Sequence, residues 1–152
     1  MANKIAAQLN VSPNDVHDVD SVGPAAVGEY DVLLLGSSTW GAGELQADWA
    51  NFADGLKALT LKGKTVAVFG VGTDNMKNTF CNAVGRIYDI ASDAGATLIG
   101  QFNADGFNFK KSMAVFDDSG LMKGLTLDET NHSNLTDSRI KAWTELIADA
   151  IK

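Results

Sequence analysis

Val32-Leu33-Leu34-Leu35-Gly36-Ser37-Ser38-Thr39-Trp40-Gly41-Ala42-Gly43-Glu44-Leu45-Gln46-Ala47-Asp48-Trp49 changes character twice. It opens as an unbroken apolar run of strand length, the pattern of a parallel strand covered on both faces. A small-residue loop follows, Gly36 to Gly43. The spacing then turns helical, with Leu45, Trp49, Phe52, Ala53 and Leu56 on one face. The loop therefore lies at the carboxyl end of a strand, where open α/β sheets bind their ligands. Trp40 stands in it among residues too small to bury it. A flat indole in that place either walls a flat ligand or folds back onto the domain.

The same order recurs downstream. Thr65-Val66-Ala67-Val68-Phe69-Gly70 reads as a strand and Gly70 to Asn78 as a second loop of glycines and polar residues. A helix follows, with Phe80, Cys81, Val84, Ile87, Tyr88 and Ala91 on one side and Gly95 near its C-cap. Thr97-Leu98-Ile99 begins a third strand. Two strand–loop–helix units in succession predict right-handed crossovers and a parallel sheet covered by helices. Both loops then lie on one edge of the sheet, close enough to clasp a planar heterocycle between them.

The remaining segments are arranged around this unit. Residues 1–10 read as a helix without a capping residue before it, and Asp15 to Val22 as a short edge strand around Val16 and Val19. His17 is an ordinary surface histidine. Residues 102–127 are an excursion that returns to the sheet. Residues 128–135, DETNHSNL, read as a polar loop with His132 solvated. Thr136 or Asp137 is expected to cap a last helix whose inner face is Ile140, Trp143, Ile147 and Ala150.

Composition narrows the class. The 152 residues suit one domain, 1–152, with a sizeable core. A net charge of −7 argues against nucleic acid and suits docking to a basic partner. One cysteine, Cys81, forms no intrachain disulfide and fits a reducing compartment. No apolar run approaches the ~18 residues of a membrane span, and MANKIAAQLN lacks the apolar core of a signal peptide. A cytoplasmic monomer is expected. The sequence carries no GxSxG, P-loop or GxGxxG pattern. Two histidines and one cysteine make no plausible catalytic metal site. Glu44 and Asp48, four apart at a helix start, favour the helix dipole or form an acidic rim.

Thr39-Trp40-Gly41-Ala42-Gly43-Glu44-Leu45-Gln46-Ala47-Asp48-Trp49 resembles the flavin loop of flavodoxins. Gly70-Val71-Gly72-Thr73-Asp74 followed by Phe80-Cys81-Asn82-Ala83-Val84 is similar to their second flavin loop and its helix. Asp105-Gly106-Phe107, Gly124 to Glu129 and Leu135 to Trp143 resemble the carboxyl-terminal third of the long-chain members. The resemblance implies a three-layer, doubly wound α/β fold with strand order 2-1-3-4-5, an FMN cofactor and a low-potential electron carrier rather than an enzyme. Carried over by position, Trp40 stacks on the isoalloxazine, and Ser38, Thr39, Gly41, Ala42 and Gly43 lie along its edge. Gly72 and Asp74 contact its pyrimidine side, while Asn78 and Asp105 complete the candidate set. Met76 stands where the family usually has an aromatic, with Lys77 as the other residue able to reach that face.

The front of the chain departs from the family. A flavodoxin begins with a strand and a Thr/Ser/Gly-rich loop that holds the FMN phosphate at a helix N-terminus. Met1 falls inside the equivalent of that helix, so strand 1 is expected to be missing from these 152 residues and their phosphate site to be incomplete. The segment near Val16 and the strand at 32–36 are then expected to flank a strand-wide gap, about 10 Å across. A flavin-free interaction domain is the alternative that this departure raises. A hydride-transferring flavoenzyme lacks a candidate acid or base.

Overall fold

A computed structural model describes residues 1–41 and 43–151. Helix α1 (Ala2–Gln8) opens the chain, and two 3-10 turns follow, Pro13–Asp15 and Pro24–Glu29. Proline leads each turn, where its missing N–H costs nothing. Strand β1 (Val32–Trp40) runs into β2 (Glu44–Leu45), then helix α2 (Ala47–Lys57), strand β3 (Thr65–Val71) and helix α3 (Asn82–Asp93). The last third holds β4 (Thr97–Ile99), β5 (Phe102–Asn103), β6 (Leu121–Met122), β7 (Leu125–Leu127) and helix α4 (Ser133–Ile147).

β3 is the centre of the sheet. On one side it pairs in parallel with β1, from Val32↔Thr65 to Ser38↔Val71. On the other it takes two short parallel strands in turn. β4 pairs along Thr65 to Ala67, and β7 along Phe69 to Val71. The edge strand is thus split, and residues 100–124 are the excursion between its halves. β5 and β6 pair antiparallel within that excursion. Gly124 sits so close to the sheet that a β-carbon there would lie 2.0 Å from the Val68 carbonyl oxygen.

Alternation along β3 sorts the core into two layers. Val66 and Val68 face α2 and α3 with Trp49, Phe52, Leu56, Phe80, Val84 and Ile87. Ala67 and Phe69 face α1 and α4 with Ile5, Ile140, Trp143 and Ile147. Trp143 is fully buried and its indole N–H donates to Gly100 O at 2.8 Å. The result is the expected three-layer α/β arrangement.

Three expectations are corrected. Asp15 to Val22 forms no strand. A strand needs a neighbour to bond to, and on the flank away from β3 the pairing of β1 is confined to β2, at Thr39 and Trp40. A groove of about 370 Å³ opens along that flank, with Ile5, Val16, Val19, Leu33, Leu35 and Phe52 in its walls; it stands where a strand-wide gap was expected. The first loop is shorter than its composition indicates, because β1 continues to Trp40 and the chain returns through β2. Glu44 and Leu45 therefore belong to a strand, not to the helix. Helix α4 begins at Ser133, so Thr136 lies within it instead of capping it.

Candidate functional site

The carboxyl ends of β1 and β3 place the two candidate loops side by side, since Ser37 pairs with Gly70 and Ser38 with Val71. The first is a tight hairpin. Trp40 pairs with Glu44, and the Gly43 N–H donates to Trp40 O at 3.1 Å. Gly41 and Gly43 have φ of +53° and +97°, which a side chain rarely tolerates. A β-carbon on Gly43 would also lie 2.5 Å from Asn82 Nδ2. Ala42 lies outside the described residues.

Helix α3 braces this hairpin. Arg86 Nε donates to Gly43 O at 2.9 Å, and the Ala83 N–H donates to Thr39 Oγ1 at 3.1 Å. Thr39 thereby caps α3 from another element. The residue in the N-cap position, Cys81, has φ of +50° and makes no side-chain cap. The Thr39 hydroxyl is turned toward the helix, and what it offers a ligand is backbone. Ser38 is half-buried, and Ser37 Oγ donates to Ser38 O at 2.8 Å. Trp40 projects outward, 51% exposed. Its indole does not fold back into the core.

The second loop is held by distant chain. Gly72 donates its N–H to Leu127 O at 2.9 Å, and a β-carbon there would stand 3.0 Å from Cys81 N. The Asp74 N–H donates to Asp128 Oδ2 at 2.9 Å. The Asp74 carboxylate is buried and turned inward. It accepts from the Asn108 N–H at 3.0 Å and Asn131 Nδ2 at 3.0 Å, and lies 2.6 Å from His132 Nε2. Burial alone would raise its pKa. The hydrogen bonds from Asn108, His132 and Asn131 outweigh burial and hold it below the ordinary carboxylate value. Both residues were expected to touch a ligand directly. Their N–H groups and the carboxylate are spent inside the protein, which leaves their carbonyls.

Met76 and Lys77 are placed differently. Lys77 Nζ donates to Asn108 O at 2.5 Å, and the Lys77 carbonyl accepts from Lys110 and Lys111. Met76 is 44% exposed and free to pack on a ring. Asn78 is exposed. Asp105 is exposed in the 103–107 turn, where its N–H donates to Asn103 Oδ1. Cys81 is fully buried, and burial pushes its thiol pKa far above the ordinary range, which makes it inert.

Sequence reasoning missed the polar strap after β7. His132, expected to be solvated, is half-buried against Asp74. Asp128 also accepts from the Thr130 and Asn131 N–H groups at 2.9 and 3.0 Å. One signal was available. A polar run that directly follows a parallel strand emerges on the same sheet edge as the other two loops. Arg139 was missed as well. Buried on α4, it donates to Thr126 O, Asn103 Oδ1 and Asn103 O, and lies 4.6 Å over the Phe107 ring. Burial lowers its pKa to about 10.

These two loops, on neighbouring parallel strands with a half-exposed indole on one, match a known family. The flavodoxin family model covers residues 1–143. Flavodoxin 1 of Escherichia coli K12 is 36% identical over 152 residues, spanning 99% of this chain and 86% of its own. The chain belongs to the flavodoxin family. Flavodoxin 2 of the same strain is 38% identical over 147 residues, 96% of this chain and 85% of its own. The crystal structure of Fusobacterium nucleatum flavodoxin bound to flavin mononucleotide superposes with a TM-score of 0.88 at 27% identity, over 99% of this chain and 89% of that one. The residues that could hold the ring are Trp40, the backbone of Thr39, Gly41 and Gly43, Gly72 and Met76. They fit a flat, partly polar heterocycle: one exposed aromatic face, one exposed thioether and backbone groups between them. Among the described residues, no run of Ser, Thr and Gly opens a helix beside these loops.

Proposed function

We propose that this protein carries electrons on non-covalently bound FMN, as a low-potential redox carrier rather than an enzyme. The observation that carries the reading is the pair of loops on adjacent parallel strands, one of them presenting an exposed Trp40. FMN supplies the redox chemistry when bound. The chain's own part is placement and electrostatics. Trp40 offers a stacking face, Met76 a wall opposite, and the braced hairpin a fixed row of backbone groups. The net charge of −7 makes each added electron on a bound group less favourable and so lowers its potential. The same charge supports a basic redox protein as partner, met by a monomer in the cytoplasm. No helix among the described residues is long and apolar enough to cross a membrane.

A flavin-free interaction domain is the weaker reading, because the ring-binding loops are built and braced. The deciding experiment is a titration of the purified protein with FMN and, separately, riboflavin. Saturable quenching of flavin fluorescence at one flavin per chain is expected. Among the described residues no run of Ser, Thr and Gly opens a helix beside the loops, so riboflavin should bind about as well as FMN. Absence of quenching by either flavin overturns the proposal. For the partner, association with a basic redox protein should slow as salt rises through the physiological range.

A further inference from the structure

The segment between β7 and α4 does more than connect them. We propose that His132 is a positioning residue of the flavin site, holding the 72–76 turn through Asp74 and so setting how firmly the second loop grips the ring. The proposal rests on the FMN reading above. The 2.6 Å contact between His132 Nε2 and Asp74 Oδ2 is the shortest one that carboxylate makes, and only 7% of the Asp74 side chain is exposed. The His132 ring is itself fixed. It meets the Phe107 ring edge-on at 5.3 Å, and the His132 N–H donates to Asp128 O at 3.1 Å at the start of α4. Arg139 lies over the other partner of that contact, Phe107.

The other groups around Asp74 do not replace it. Asn131 Nδ2 is shared among Thr73 Oγ1, Asp74 Oδ1 and Asn75 Oδ1 at 3.0–3.2 Å. Asp128 accepts from the Asp74 N–H and sets a second carboxylate within 4.8 Å of Asp74's, to which it brings no donor. Among the described residues, Asp74 Oδ2 without His132 retains the Asn108 N–H as its hydrogen-bond donor. A buried carboxylate short of donors is costly, and the cheapest relief is to swing toward water. The neighbours of Asp74 would move with it. The Asn75 N–H is tied to Thr73 Oγ1 and the Met76 N–H to Thr73 O. The thioether wall is therefore coupled to the buried pair by one turn of backbone.

The test compares His132→Ala and His132→Gln, the latter keeping a side-chain N–H. FMN affinity, amide exchange of residues 73–76 in the flavin-free protein, and the thermal midpoint are measured for each. His132→Ala should weaken FMN about tenfold, in line with losing a hydrogen bond to a charged group. It should also speed exchange at residues 73–76 more than in β3 or α3. His132→Gln should stay within about twofold of the parent in affinity. Parent-like affinity in His132→Ala, equal losses in both variants, or faster exchange spread evenly over the fold would each overturn the proposal. If the parent binds no flavin, the FMN reading fails on its own. The exchange arm then still decides the strap: local acceleration in His132→Ala supports it, and unchanged exchange overturns it.

Discussion

The hairpin in which Trp40 pairs with Glu44 and the loop at 70–78 lie side by side and are closed by different means. The hairpin is closed by what is adjacent in sequence and then braced from outside by two hydrogen bonds with α3. Two backbone pairings and two glycines with positive φ close it, and its one large side chain points outward. The second loop has a buried acidic side chain at its centre, and its restraints arrive from residues 31 to 58 positions away. A wall for a ligand can be made rigid by local backbone geometry or by distant side chains. The first kind tolerates a change of its exposed residue. The second does not tolerate a change of its buried one.

The contrast is breakable at several points. The largest effect is expected from Asp74→Ala, which orphans the Asn108 N–H, Asn131 and His132 at once. Unfolding should cost about 3 kcal/mol less than in the parent, by chemical denaturation. A variant as stable as the parent would mean the strap is ornamental. Gly43→Ala should lose about 2 kcal/mol, from a side chain at positive φ pressed against Asn82. If it is neutral, the hairpin is not held as tightly as its contacts indicate. Trp40→Ala should leave stability within about 0.5 kcal/mol while weakening any FMN binding by about 1–3 kcal/mol. An unchanged affinity would remove the stacking role.

The smallest effect is one of pH. Hydrogen bonding holds Asp74 below its ordinary value of 3.8 in the folded protein. Its contribution to stability is thus fully present above that value and is lost as pH falls through the lower folded one. Stability measured below about pH 4 should fall less steeply in Asp74→Asn than in the parent. Identical acid limbs would take Asp74 out of the acid response.

The hairpin side of this comparison was largely legible in the sequence, because Trp40 among small residues and paired glycines is a local pattern. Its exact extent was not. Composition reads 36–43 as loop, yet Ser37 to Trp40 is strand, since the neighbouring β3 offers a ladder that favours extension. The opposite error occurred at Asp15 to Val22. A strand-length segment with Val16 and Val19 formed no strand, because β1 offers it no ladder. The second loop was legible as a loop and not as a clamp. Nothing local marks His132 as the partner of Asp74, 58 residues earlier. Nothing local marks Arg139 either; its partners Asn103 and Phe107 lie more than thirty residues earlier.

Read alone, the sequence determined the two parallel strands, the helices that cover them, and the edge on which the loops emerge. Apolar periodicity and glycine placement are local properties, and they survive any packing that buries the right faces. The tertiary structure decided which loop groups remain free for a ligand. It turned Asp74 inward, committed Lys77 to Asn108 and left Trp40 and Met76 exposed. Hydrogen-bond satisfaction of a buried charge depends on residues far along the chain, and only the folded arrangement brings them within 3 Å.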